Sequence, residues 1–143
     1  MPKTRIDGRT PEQARKIKFT PDFLAHPIAS VLAETGGTKV VCSVSFEQGV
    51  PGWMRQQGVS GGWLTSEYGM LPGSGTTRIA RDSMKGRPNG RSTEIQRLIG
   101  RSFRSVVDLD ALGQNTIYID CDVIDADGGT RCASICGASV ALQ

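Results

Sequence analysis

The sequence predicts an α+β domain. Three observations lead there: β-branched runs bounded by turn residues in the first third, an amphipathic stripe between residues 91 and 107, and an alternating strand after residue 115 that leads into a small-residue helix. At 143 residues the chain is long enough for one domain with a real core. No apolar run approaches the roughly 20 residues that span a bilayer, and the opening MPKTRIDGRTPEQ is too polar for a secretory signal. A cytoplasmic protein without a membrane contact is expected.

Residues 1–14 are polar, with turn signals at Asp7-Gly8 and Pro11, and read as an exposed arm. Ile17 to Phe19 starts a strand. Ala29–Glu34 and Lys39–Phe46 flank Gly36-Gly37, the pattern of a β-hairpin. Residues 47–90 hold ten glycines and the prolines Pro51, Pro72 and Pro88, and read as a long irregular loop segment of the functional kind. In residues 91–107, Ile95, Leu98, Ile99, Phe103, Val106 and Val107 form one apolar stripe. Asn89 or Ser92 supplies an N-cap, and Gly113 a stop. Along Asn115–Val123, Ile117, Ile119, Cys121 and Val123 alternate with Tyr118, Asp120 and Asp122. Asp125 to Gly129 turns the chain, and Thr130–Leu142 reads as a buried helix. The sequence stops inside that apolar pattern, so a single, incomplete domain is expected over 1–143.

Charge is distributed unevenly. Residues 1–107 carry 16 Lys+Arg against 8 Asp+Glu, whereas residues 108–143 carry one Arg against six Asp. The densest block holds Arg78, Arg81, Lys85, Arg87, Arg91, Arg97, Arg101 and Arg104. Seven of these eight cations are arginine, whose planar fork fits phosphate bidentately. An anionic partner follows. Arg97, Arg101 and Arg104 share a helix face with no acidic residue among them, which marks either a solvated face or a contact with RNA phosphate or another subunit. Trp53, beside Arg55, either stacks on a base or covers the core. The four cysteines lack metal or disulfide-scaffold spacing and are expected as buried free thiols.

Two segments carry the site chemistry. Gly128-Gly129-Thr130-Arg131 joins a strand to a helix start, where unpaired N–H groups and the helix dipole favour anions. Gly90-Arg91-Ser92-Thr93 places a second arginine and two hydroxyls at another helix start. If the two converge, Arg91 and Arg131 oppose one another across a single phosphate. Asp120, Asp122, Asp125 and Asp127 could in principle meet a divalent cation, but the spacing is not an EF-hand loop and ordinary turn and edge carboxylates are the expected reading. The lone His26 has no visible partner and reads as a surface or packing residue, so histidine-based acid–base chemistry is not expected. No Walker loop, GxSxG or HExxH is present.

Taken together these segments resemble the bacterial ribonuclease PH family. The matching runs are Arg5 to Arg9, Gly37 to Cys42, Gly62 to Pro72, Gly90 to Arg101 and Ile119 to Arg131, in family order and covering somewhat more than the first half of the family's domain. The resemblance implies a fold of the ribosomal-protein-S5-domain-2-like type, truncated here, and a homohexameric ring using Arg78 and Arg81. Gly73 stands where the family often has a further arginine. It also implies phosphorolytic 3′-to-5′ trimming of tRNA precursors and other RNA with 3′ overhangs. In that reaction inorganic phosphate is the co-substrate, held by Arg91, Gly129, Thr130 and Arg131. RNA would be met by Trp53, Arg55, Arg97 and Arg101. The family's catalytic aspartates and their Mg2+ are expected beyond Gln143, so no catalytic or metal residue is assigned within the chain. A non-catalytic RNA-binding or ring-scaffold subunit of an exosome-like assembly is the alternative, and the paired Arg91 and Arg131 argue against it.

Overall fold

A computed structural model describes residues 4–81, 84, 86 and 89–143. Lys85 and Arg87 of the basic block lie outside these residues. The described elements run β1 (Ile17–Pro21), β2 (Ala29–Thr35), β3 (Thr38–Gln48), α1 (Gly52–Gln57), β4 (Trp63–Met70), α2 (Gly90–Arg104), β5 (Asn115–Asp125) and α3 (Thr130–Ala141).

The five strands form one sheet in the order β1-β2-β3-β5-β4. Gly36 at φ 59° and Gly37 close the β2–β3 hairpin with Thr35 opposite Thr38, because a two-residue hairpin turn needs the left-handed region that glycine enters freely. β3 pairs antiparallel with β5 and sets Cys42 against Cys121. β4 pairs with β5 in parallel, from Trp63 opposite Thr116 to Met70 opposite Val123. That parallel step requires a crossover, and α2 lies in the connection between the two strands.

Both long helices cover the same face of the sheet. Val40 and Cys42 of β3, Leu64 and Tyr68 of β4, and Ile119, Cys121 and Val123 of β5 pack in one core with Ile95, Ile99 and Phe103 of α2 and Ala133 and Ala138 of α3. Each large aliphatic side chain so buried contributes about 1.5–3 kcal/mol. α2 is fastened to β4 by the Ser66 hydroxyl, which donates to the Gln96 carbonyl at 2.7 Å, and by Arg104, which donates to the Leu64 carbonyl at 2.9 Å. α3 lies close to the sheet because Gly137 has no side chain: a Cβ there would sit 2.6 Å from Cys42 Sγ and 2.8 Å from Ala33 Cβ.

Three expectations need correction. Residues 47–90 are not one irregular segment, since they contain α1 and the whole of β4. The inward positions of β4 are Leu64, Ser66 and Tyr68, and two polar residues in that row disguise its alternation. The amphipathic stripe ends early: α2 stops at Arg104 and Val106 is 77% exposed. The thiols divide into two pairs. Cys42 and Cys121 are buried, but Cys132 and Cys136 are exposed, because α3 seats its small residues on the sheet and turns those two outward.

Replacing Gly137 with Ala is expected to lower the unfolding free energy by about 2 kcal/mol, read as a lower urea midpoint at unchanged slope; an unchanged midpoint would contradict this seating of α3.

Candidate functional site

α2 and α3 both begin at one end of the sheet, beside the carboxyl ends of the parallel strands β4 and β5. Asn89 caps α2 by accepting from the Arg91 N–H at 3.0 Å. α3 begins after two consecutive left-handed glycines, Gly128 at φ 77° and Gly129 at φ 71°. The two starts are tied together. Arg131 of α3 donates to Glu94 of α2 at 2.7 Å, and the Tyr68 hydroxyl of β4 shares a buried 2.8 Å hydrogen bond with the Thr130 hydroxyl. Tyr68 also lines a cleft of about 210 Å³ with Gly69, Met70, Arg81, Arg91 and Ser92. The two helix N-termini therefore meet near the end of β4, with Arg91 and Arg81 lining the cleft and Arg131 held at Glu94 beside it, an arrangement suited to a compact anion.

The candidate residues are not all placed as the sequence alone would put them. Thr130 is buried, with its hydroxyl engaged by Tyr68, so it offers a backbone N–H rather than a free hydroxyl. Arg131 is already paired with Glu94, an exposed contact of the kind worth up to about 1 kcal/mol. Arg81 faces the same cleft as Arg91, while Arg78 is exposed on the preceding loop. Arg97 and Arg101 are exposed along α2, whereas Arg104 is turned inward, its guanidinium 4.8 Å above the Trp63 ring. Trp53, 43% exposed, meets Trp63 edge-on at 5.2 Å, with Arg55 exposed beside it on α1. Tyr68 and Glu94 escaped the sequence reading. Nothing marks Tyr68 within a glycine-rich stretch, and a glutamate near a helix start ordinarily means dipole compensation.

The aspartates divide by position. Asp125 lies 3.7 Å from Lys39 and Asp127 lies 3.8 Å from Arg15, both as surface ion pairs. Asp120 and Asp122 share the sheet face opposite the helices with Glu67, which stands beside Asp120 across the β4–β5 ladder. Desolvation, and then repulsion from Glu67, raise both carboxyls above their ordinary range; Asp122 raises Asp120 further. Among the described residues no group of three or more His, Cys, Asp or Glu side chains is disposed to hold a metal ion.

Comparison with known proteins gives the family to which this mixed α/β domain belongs. Residues 13–143 match the RNase PH family model, described as 3′ exoribonuclease family, domain 1, and the chain belongs to that family. It is 58% identical over 138 residues to the ribonuclease PH of Listeria welshimeri, covering 96% of this chain and 55% of that protein. To the ribonuclease PH of Rhodococcus erythropolis it is 54% identical over 139 residues, covering 97% and 52%. The chain thus spans about half the length of the curated relatives it matches. Among solved structures it resembles the Archaeoglobus fulgidus exosome with RNA bound to the active site, at TM-score 0.82 and 27% identity over 97% of this chain and 55% of that one. Rice Rrp46, at TM-score 0.77 and 20% identity over 96% and 59%, shares the fold.

The raised carboxyls give a signed pH dependence. A group that holds its proton more tightly when folded stabilises the fold below its unfolded pKa and loses that contribution as pH rises through the folded value. Desolvation and the neighbouring Glu67 and Asp122 carboxyls disfavour the charged form of Asp120, so Asp120→Asn is expected to add about 0.5 kcal/mol and raise Tm by roughly 2 °C at pH 7. The gain should shrink as pH falls into the ordinary aspartate range. Thermal melts at pH 7 and pH 4 check this, and a lower Tm at pH 7 would contradict it.

Proposed function

We propose that this chain is the phosphate- and RNA-binding part of a phosphate-dependent 3′-to-5′ exoribonuclease. It works as the first part of a longer domain that trims tRNA precursors and releases nucleoside diphosphates. The single observation that carries the reading is the meeting of the α2 and α3 starts at one sheet end, with Arg91 and Arg131 beside them. Inorganic phosphate in this position has its charge met by two arginines and two helix dipoles, with the backbone N–H groups after Gly129 as donors. Phosphate can then act as the nucleophile on the last phosphodiester, where water would act in a hydrolase. In phosphoryl transfer, positioning and charge neutralisation supply most of the catalysis.

RNA reaches this end along α2. Arg97 and Arg101 line the helix on its exposed side, and Trp53 and Arg55 lie toward its far end, where Trp63 bridges Trp53 to Arg104. A 15-residue helix gives a track of about 22 Å. Arg78, exposed on the loop before the cleft, is free to contact a neighbouring copy in a ring-shaped homohexamer. Arg81 is assigned to the same interface, although its place in the cleft also lets it meet the anion. Mg2+ is taken to act in the longer protein. Among the described residues the carboxylates form no ligand set for it.

Titrating inorganic phosphate into the chain is expected to raise Tm saturably, because a ligand that binds only the folded state must stabilise it. Arg131→Ala should raise the apparent phosphate Kd roughly tenfold, the loss of one charge-assisted contact. A variant that responds to phosphate like the parent would contradict the assignment, and a parent with no saturable gain would favour the non-catalytic scaffold. On RNA bearing a 3′ overhang, the longer protein should require phosphate and release diphosphates; monophosphates, or equal loss without phosphate, would contradict phosphorolysis.

Replacing Arg97 or Arg101 with Ala should weaken RNA binding across sequences and reduce the salt slope of log K by about 1, measured by fluorescence anisotropy from 50 to 200 mM salt. An unaltered slope would remove α2 from the RNA path.

A further inference from the structure

The turn that leads into α3 is gripped from behind by the β2–β3 hairpin. Thr38, the first residue of β3, is fully buried, and its hydroxyl makes two hydrogen bonds. It donates to the Gly128 carbonyl at 2.6 Å and accepts from the Asp127 backbone N–H at 2.9 Å. Arg15 adds a second donor to the same carbonyl at 3.0 Å, and its Nη2 lies 3.8 Å from Asp127 Oδ2. The approach is close enough that a Cβ on Gly37 would fall 2.9 Å from Asp127 Oδ2.

Packing does not account for this threonine. Val40 and Val44, the buried positions that flank Cys42 on the same face of β3, fill their places with methyl groups alone. A hydroxyl in such a row is unfavourable unless its proton and lone pairs are met. Here both are met by the two residues that immediately precede the second left-handed glycine. Gly128 and Gly129 have the most backbone freedom to lose, and they set the direction of the N–H groups of Thr130 and Arg131.

We propose that Thr38, assisted by Arg15, is a positioning residue of the phosphate site. It fixes the Gly128-Gly129 turn before the anion arrives, so that the first N–H groups of α3 and the base of the Arg131 side chain are already aimed. The role lies in preorganisation, since Thr38 touches the turn and not the ligand. It rests on the reading of this end of the sheet as a phosphate site.

The test is a titration of the chain with inorganic phosphate by ³¹P NMR, beside thermal melts without phosphate. Thr38→Val keeps the shape and removes both hydrogen bonds; Thr38→Ser keeps the hydroxyl and removes a methyl. Thr38→Val should raise the phosphate Kd roughly tenfold, while Thr38→Ser should lower Tm yet hold Kd within about twofold. If wild type binds phosphate and the two variants match it, or weaken binding equally, the positioning role is overturned. If wild type itself does not bind, the phosphate site falls and the role with it. Should Thr38→Val fail to fold by circular dichroism, Arg15→Ala decides: a weaker phosphate affinity in the folded variant supports the proposal, and an unchanged Kd overturns it.

Discussion

The parallel pairing of β4 with β5 is the constraint on which the rest depends. The other three pairings in the sheet are antiparallel. Because β4 and β5 run the same way, the chain must return between them, and α2 is the return. α3 then leaves the end of β5 and lies on the same face. Both helices therefore start at the carboxyl ends of neighbouring strands, where open sheets of this kind commonly place ligands. An antiparallel β4 would point the start of α2 to the other end of the sheet and separate Arg91 from Arg131.

The electrostatics follow from that geometry. Two helix N-termini bring partial positive charge to one place; Arg91 and Arg81 line the cleft there, and Arg131 is held at Glu94 beside it. Counter-charge stands ready. Glu94 holds Arg131 while Asp122 borders the cleft, its carboxyl pushed up by desolvation and by Glu67. Under the proposed function an incoming anion would have to replace Glu94 at Arg131. The basic face of α2 with Arg97 and Arg101 extends the positive surface away from the cleft, and Arg104 is withheld from it by Trp63 and the Leu64 carbonyl.

Much of the fold was legible because its signals are local. Gly36-Gly37 between β-branched runs marks the hairpin, Asn89 marks the start of α2, and the alternation of Ile119, Cys121 and Val123 marks β5. β4 was not legible, since Ser66 and Tyr68 face inward and their value lies in bonds to α2 and α3 that only the folded chain supplies. The same limit applied to the site. Arg91 and Arg131 could be named from glycine-rich helix starts, but that they lie at one sheet end depends on strand order. Thr38 and Arg15 reach the turn from distant positions in the chain, and a threonine in a β-branched run carries no mark of its hydrogen-bond partners. Arg104 shares its periodicity with Arg97 and Arg101, and only the position of Trp63 separates it from them.

The most direct measurement is a crystal structure of the chain grown with phosphate. One anion is expected at the carboxyl ends of β4 and β5, within hydrogen-bond reach of both the Arg91 guanidinium and the first N–H groups of α3. Phosphate bound by one helix start alone, or by two separate anions at Arg91 and Arg131, would contradict the claim that the two starts form a single site.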